Sequence, residues 1–255
     1  MTVKIVGVIP ARMAASRFPG KPLAPLSGRP MIEHVYRRAE RARHLDEVVL
    51  ATCDPAIYDA VTKFGGRAVM TADTHVRCTD RVAEAARDLD ADIVVNIQGD
   101  EPLIHPDAID LLCEAALRSS DLPCVNLANV ITREEDFLNP NQIKAVCDQK
   151  DNALYMSRQP IPTTKAWSGT RVLRQLGMIA FRKEFLVTFA ALPPTPLETA
   201  ESVDMLRAIE HGYTVRMVIS AHESFGVDTP EDLRTAEARL IGDPIDAAVF
   251  PDARR

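Results

Sequence analysis

The sequence predicts an α/β protein built on a mostly parallel, doubly wound sheet, and three observations carry that prediction. Ile5 to Ile9 and Asp92 to Gln98 are short apolar runs without polar alternation, the pattern of strands buried on both faces. Such runs alternate along the chain with segments of helical apolar spacing, as βαβ units require. The 255 residues exceed the usual single-domain size but suit one continuous core carrying a small inserted subdomain.

Ile5-Val-Gly-Val-Ile9 stops at Pro10 and reads as a central strand. Pro30 then precedes Met31, Ile32, Val35, Tyr36 and Ala39, a helical stripe whose opposite side carries Arg37, Arg38, Glu40 and Arg41. Glu47 to Thr52 reads as a strand, Pro55 to Phe64 as a helix stopped by Gly65-Gly66, and Arg67 to Met70 as a further strand. Asp80 to Leu89 is a helix, and the strand Asp92 to Gln98 ends in Gly99-Asp100-Glu101-Pro102. Pro106 to Ser119 is helical, with strands at Cys124 to Ile131 and Ala145 to Asp148. Gln159 to Arg171, rich in Pro, Thr, Gly and Ser and holding the only tryptophan, Trp167, reads as a long loop or subdomain edge. Helices are expected from about Lys183 to Leu192, Thr199 to His211 and Pro230 to Arg239, with a strand at Thr214 to Ile219 and a frayed end from Asp243.

Composition excludes several classes. A net charge of −6 offers no basic footprint for nucleic acid. No apolar stretch reaches the ~20 residues of a membrane span, and the N-terminus has no signal-peptide pattern. Five scattered cysteines without CxxC spacing match neither a zinc site nor a disulfide scaffold and predict a reducing cytoplasm.

Two loops carry the chemistry. Pro10 to Lys21 leaves the first strand with Arg12, Arg17 and Lys21 as cations, Gly20 for close backbone approach, and Pro19 and Pro22 as stiffeners. That set can hold a triphosphate without a Walker pattern; an ordinary basic turn has the same general composition. Asp100 follows a buried strand, where a carboxylate can meet a phosphate-bound divalent metal, although Gly-Asp is also an ordinary turn. Asp228 in Gly226-Val-Asp-Thr-Pro230 supplies a possible second carboxylate, while Thr229 and Pro230 also read as a helix start.

Taken together, Pro10-Ala-Arg-Met-Ala-Ala-Ser-Arg-Phe-Pro-Gly-Lys-Pro-Leu23, Gly28-Arg-Pro-Met-Ile32, Val95-Asn-Ile-Gln-Gly-Asp-Glu-Pro102, Asn139-Pro-Asn141, Ala153-Leu-Tyr-Met-Ser-Arg158 and Gly226-Val-Asp-Thr-Pro-Glu-Asp-Leu233 resemble the 3-deoxy-manno-octulosonate cytidylyltransferases, in order from about Lys4 to Leu240. The resemblance implies a nucleotide-diphospho-sugar transferase-like fold and a reaction of CTP with a sugar acid that releases pyrophosphate. It implies Mg²⁺ on Asp100 and Asp228, catalytic roles for Arg12, Lys21 and Asp100, and a triphosphate grip from Pro10, Ala11, Arg12, Ser16, Arg17 and Lys21. Thr79, Asp80 and Arg81 fall near the nucleotide, and Gln98, Arg158, Gln175, Ile179, Glu201 and Met205 on the acceptor side. A homodimer formed through the inserted segment, approximately 139–182, is also implied.

The acceptor side departs from the family. Gln175-Leu-Gly-Met-Ile179 stands where the family has His-x-Gly-Ile-Tyr, and Asp204-Met-Leu-Arg207 where it has Glu-Gln-Leu-Arg. Arg77-Cys78 replaces a Ser-Gly before Thr79-Asp-Arg81. Fewer or different hydroxyls are read by a site with Ile179 and Met205 at those positions, and Arg77 adds a cation, so a smaller, more anionic phosphonate acid such as phosphonoformate is an alternative acceptor. A second alternative is an inactive nucleotide-binding homologue with a regulatory role; the retained carboxylates and cations argue against it.

Overall fold

The computed structural model describes residues 2–14, 17–163 and 171–251. The chain divides into two compact units, Met1–Asp110 with Ser224–Arg255, and Leu111–Glu223. The segment 139–182 falls inside the second.

The first unit opens with β1 (Ile5–Ala11), every residue of which is buried. A 3₁₀ turn at Lys21–Leu23 and a short hairpin of β2 (Pro25–Leu26) and β3 (Arg29–Pro30) lead into α1 (Met31–Ala39). Then come β4 (Glu47–Thr52), α2 (Pro55–Lys63), β5 (Arg67–Met70), α3 (Cys78–Ala86) and β6 (Ile93–Asn96). β1 pairs in parallel with both β4 and β6, and β4 in parallel with β5. In a parallel sheet the carboxyl ends share one edge. Val8 lies opposite Asn96, so the chain leaves β1 and β6 side by side. The boundary between units falls within α4 (Pro106–Arg118).

The second unit holds β7 (Cys124–Val130), α5 (Glu134–Leu138), β8 (Lys144–Cys147), β9 (Ala153–Ser157), β10 (Leu173–Arg182), α6 (Lys183–Ala191), α7 (Pro196–Glu201), α8 (Met205–Glu210) and β11 (Val215–Ile219). β7 pairs in parallel with β11 and antiparallel with β10, and β8 pairs antiparallel with β10 and β9. The register of β10 against β7 shifts between Gln175 and Ile179. Asn126 fills the irregularity, its amide donating to the carbonyls of Leu176 (2.7 Å) and Met178 (3.1 Å).

The helix expected over Thr199 to His211 is two helices. Ser202 adopts a left-handed conformation (φ 54°) that ends α7, which itself starts earlier, at Pro196, behind a capping box of Thr195 and Glu198.

The chain then returns to the first unit with α9 (Pro230–Leu240) and α10 (Pro244–Val249), the latter in the stretch expected to fray. Asp243 anchors α10 by accepting from Ile245 N, and its carboxylate also pairs with the buried Arg38 at 2.7 Å. Leu26, Met31, Val227, Ala236 and Leu240 form one buried cluster, with Phe18, Leu103, Phe225 and Leu233 packed on it. Each well-buried large side chain there contributes roughly 1.5–3 kcal/mol. The cluster draws the Phe18 loop, the Leu103 loop and the Val227 segment together, which fixes their polar neighbours.

Candidate active site

The loop after β1 is closed on itself and pinned from below. Gly20, at φ 75°, donates its N–H to Met13 O at 3.1 Å, a backbone angle that favours glycine. Met13 N donates to the Asp54 carboxylate at 2.8 Å, which ties the loop to the start of α2. Lys21, only 12% exposed, points inward and donates to Val227 O at 2.6 Å.

Both expected carboxylates meet that ammonium. Lys21 Nζ lies 2.9 Å from Asp100 Oδ2 and 3.6 Å from Asp228 Oδ1, and Arg17 reaches Asp228 Oδ2 at 2.9 Å. Val227 N also donates to Asp100 O at 2.8 Å, so the two acidic segments are laced by backbone. Two hard anionic oxygens from distant parts of the chain around one positive charge are a donor set that could also hold a divalent cation.

Close packing sets the position of Asp100. A β-carbon on Gly99 would lie 2.5 Å from the carbonyl oxygen of Pro10, so only glycine lets the β6 loop pass the β1 loop at this separation. Asp228 is steadied by Asp232, whose carboxylate accepts from Asp228 N (3.0 Å), Thr229 N (2.9 Å) and the Thr229 hydroxyl (2.8 Å). Partial burial opposes the Asp232 charge, but these bonds and Arg17 outweigh it and hold its pKa below the usual aspartate value.

Other donor-side residues take different places. Pro10 and Ala11 are buried at the end of β1, and Arg12 is exposed just beyond it. Ser16 lies outside the described residues, as does Trp167. Thr79 and Arg81 are buried on α3, and Asp80 is half-buried beside them. The Arg81 guanidinium donates to Thr71 Oγ1 and, at 3.2 Å, to Ala72 O. One turn on, Glu84 accepts from Ala72 N (3.0 Å) and pairs with His75. Arg81 thus holds the loop before α3 from beneath.

Of the residues expected on the acceptor side, Gln98 is half-buried past β6 in the first unit and the others fall in the second. The Glu201 carboxylate accepts from Ser157 Oγ (2.6 Å), Tyr155 OH (3.1 Å) and Arg158 N (2.9 Å). Burial resists its charge, yet those donors and the Arg158 guanidinium keep its pKa below the usual glutamate range. Arg158 Nε donates to Glu201 O at 2.8 Å and Nη1 to Pro140 O at 3.3 Å. Gln175 is buried and donates to Asn126 Oδ1 at 3.0 Å. Ile179 and Met205 are 2% and 0% exposed, part of the apolar interior of the second unit.

Residues 6–220 match the family model for cytidylyltransferases. The chain belongs to the cytidylyltransferase family. Relatives named 3-deoxy-manno-octulosonate cytidylyltransferase include one from Syntrophobacter fumaroxidans, 47% identical over 96% of this chain and 100% of the relative. Another, from Geobacter metallireducens, is 44% identical over 93% and 98%. Among solved structures, a CMP:2-keto-3-deoxy-manno-octonic acid synthetase complexed with CTP superposes with a TM-score of 0.89 at 39% identity, covering 94% of this chain and 99% of that one. A 4-diphosphocytidyl-2C-methyl-D-erythritol synthase from Anaerococcus prevotii, 17% identical, shares the fold with a TM-score of 0.64.

Within this cytidylyltransferase, the partners that orient the site were not singled out from the sequence: Asp54 under the loop, Asp232 under Asp228, and Lys144 and Tyr155 beside Arg158. Only Asp232 had a local signal, since Thr229-Pro-Glu-Asp232 is a capping-box pattern. The cytidylyltransferase cysteines are spread out: Cys113 and Cys124 are buried, and burial raises the Cys124 pKa. Cys147, half-buried, is pushed up to about 11, chiefly by desolvation.

Proposed function

We propose that the chain couples CMP from CTP to a sugar acid and releases pyrophosphate, with 3-deoxy-manno-octulosonate as the acceptor. The observation that carries this reading is the meeting of Lys21, Asp100, Asp228 and Arg17 at the mouth of the β1 loop. An acceptor hydroxyl oxygen forms the new bond to the α-phosphorus, its proton passing to solvent, as the bond to pyrophosphate breaks in line and the electron pair leaves with pyrophosphate. Negative charge grows on the α-phosphate and the leaving group, where Arg12, Arg17 and Lys21 supply fixed positive charge. Asp100 and Asp228 would hold a divalent cation, Mg²⁺ in this reading, which when bound supplies further charge neutralisation to the phosphates. Arg158 is assigned to the acceptor carboxylate. No enzyme nucleophile is required, so the cysteines need no chemical role; Cys113 and Cys124 pack in the interior, while Cys78 is exposed. The enzyme is assigned to the cytoplasm as a homodimer formed through residues 139–182, which sedimentation of the purified protein tests.

Pyrophosphate release is the test, measured with CTP, Mg²⁺ and a panel of 3-deoxy-manno-octulosonate, its amino-sugar analogue and phosphonoformate. Release with 3-deoxy-manno-octulosonate is expected; CTP binding without release from any acid would remove the assignment. Asp100→Asn should lower turnover by about a hundredfold or more with an unchanged circular dichroism spectrum. A near-normal rate would take Asp100 out of the site.

A further inference from the structure

We propose that Lys144 is a positioning residue for acceptor recognition, a buried ammonium that fixes the direction of Arg158 through the turn at 139–142. This rests on the reading of Arg158 as the group that meets the acceptor's carboxylate.

Lys144 opens β8 and is 0% exposed. Its Nζ donates to three carbonyl oxygens: Asn139 at 2.8 Å, Gln142 at 2.6 Å and Arg158 at 2.6 Å. An ammonium has three donors, so this set uses all of them. Burying the charge is unfavourable: desolvation, then the charge of Arg158, lower the Lys144 pKa, while Glu201 pulls the other way. An apolar side chain of the same volume would avoid that penalty but leave three carbonyl oxygens without this donor. What the ammonium adds is a fixed spacing between the turn and Arg158.

The turn bears directly on the guanidinium. It is closed by Gln142 N to Asn139 O (3.1 Å) and by Asn141 N to Asn139 Oδ1 (2.9 Å). Arg158 Nη1 donates to Pro140 O, in the middle of that turn, and Nε donates to Glu201 O. Two cations therefore hold one turn, and the buried one also holds the backbone of the other. Without the ammonium, the Pro140 carbonyl loses its fixed distance from Arg158.

The experiment compares Lys144→Met and Lys144→Gln with the wild-type enzyme, measuring KM for the acceptor, kcat, CTP affinity by calorimetry and thermal midpoint. Lys144→Met should raise acceptor KM tenfold or more while CTP affinity stays within twofold, and Lys144→Gln, which keeps an amide donor, should fall between. A lowered midpoint with unchanged acceptor KM marks a purely structural lysine and overturns the proposal. So does failure of both variants to fold. Absence of wild-type turnover with every sugar acid overturns the activity itself, and the positioning role with it, before any variant is made.

Discussion

Gly99 and Pro10 approach within a distance that no other residue permits, and the place of Asp100 depends on that approach. A methyl group at Gly99 would meet the Pro10 carbonyl oxygen at 2.5 Å, against backbone, with no flexible side chain to give way. The β6 loop must then move by an amount comparable to the overlap, carrying Asp100 with it. Gly99→Ala is expected to lower kcat by about a hundredfold, the penalty for a displacement near 1 Å, while steady-state unfolding shows a stable protein. Asp232 acts at the same scale, because its three accepted bonds fix the backbone beside Asp228. Asp232→Asn should weaken that end of the site and destabilise the cap of α9 by about 1 kcal/mol, measurable by urea unfolding.

The pair of helices α7 and α8 rests on one buried ion pair. Arg207 donates to both oxygens of Glu198, at 2.8 and 2.6 Å, with the two side chains 5% and 2% exposed. Arg207 also lies over the Phe189 ring, 4.8 Å from its centre. Glu198→Gln leaves a buried guanidinium without its counter-charge and should destabilise by about 3–5 kcal/mol in denaturant titrations. Nothing in the local sequence announces this pair, since the break at Ser202 between its members has neither glycine nor proline. β1 and β6 were legible because β-branched runs ending in Pro10 and in Gln98-Gly99 have few other readings. β10 was not: Leu173, Leu176, Met178 and Ala180 favour helix as readily as strand, and the irregularity filled by Asn126 removes any regular alternation. Lys21, Asp100 and Asp228 were legible as charged residues in loops beyond apolar segments. Asp54 and Lys144 were not, because their partners lie elsewhere in the fold.

Over the whole molecule, acid sensitivity follows from groups whose pKa values folding depresses. His34 is buried, its Nε2 against Leu26 O at 2.9 Å and Nδ1 3.3 Å from Asp246, and burial lowers its pKa despite both neighbours. The unfolded chain then binds the proton more readily. Stability is present above the ordinary histidine value of about 6.5 and declines as pH falls from there toward the depressed value. Glu84, Asp136, Asp148, Glu201 and Asp232 are likewise depressed, so a second decline follows as pH drops through the ordinary carboxylate range and below. Unfolding free energies across pH should show two steps, and His34→Gln should erase the upper one. The net charge of −6 gives CTP no long-range attraction, so its capture depends on local cations. Lys21 is the most enclosed of these, and it is already engaged by two carboxylates. If Asp100 and Asp228 hold a divalent cation, the cation offered alone would compete with the Lys21 ammonium, so calorimetry is expected to find it bound weakly to the wild type and more tightly to Lys21→Met.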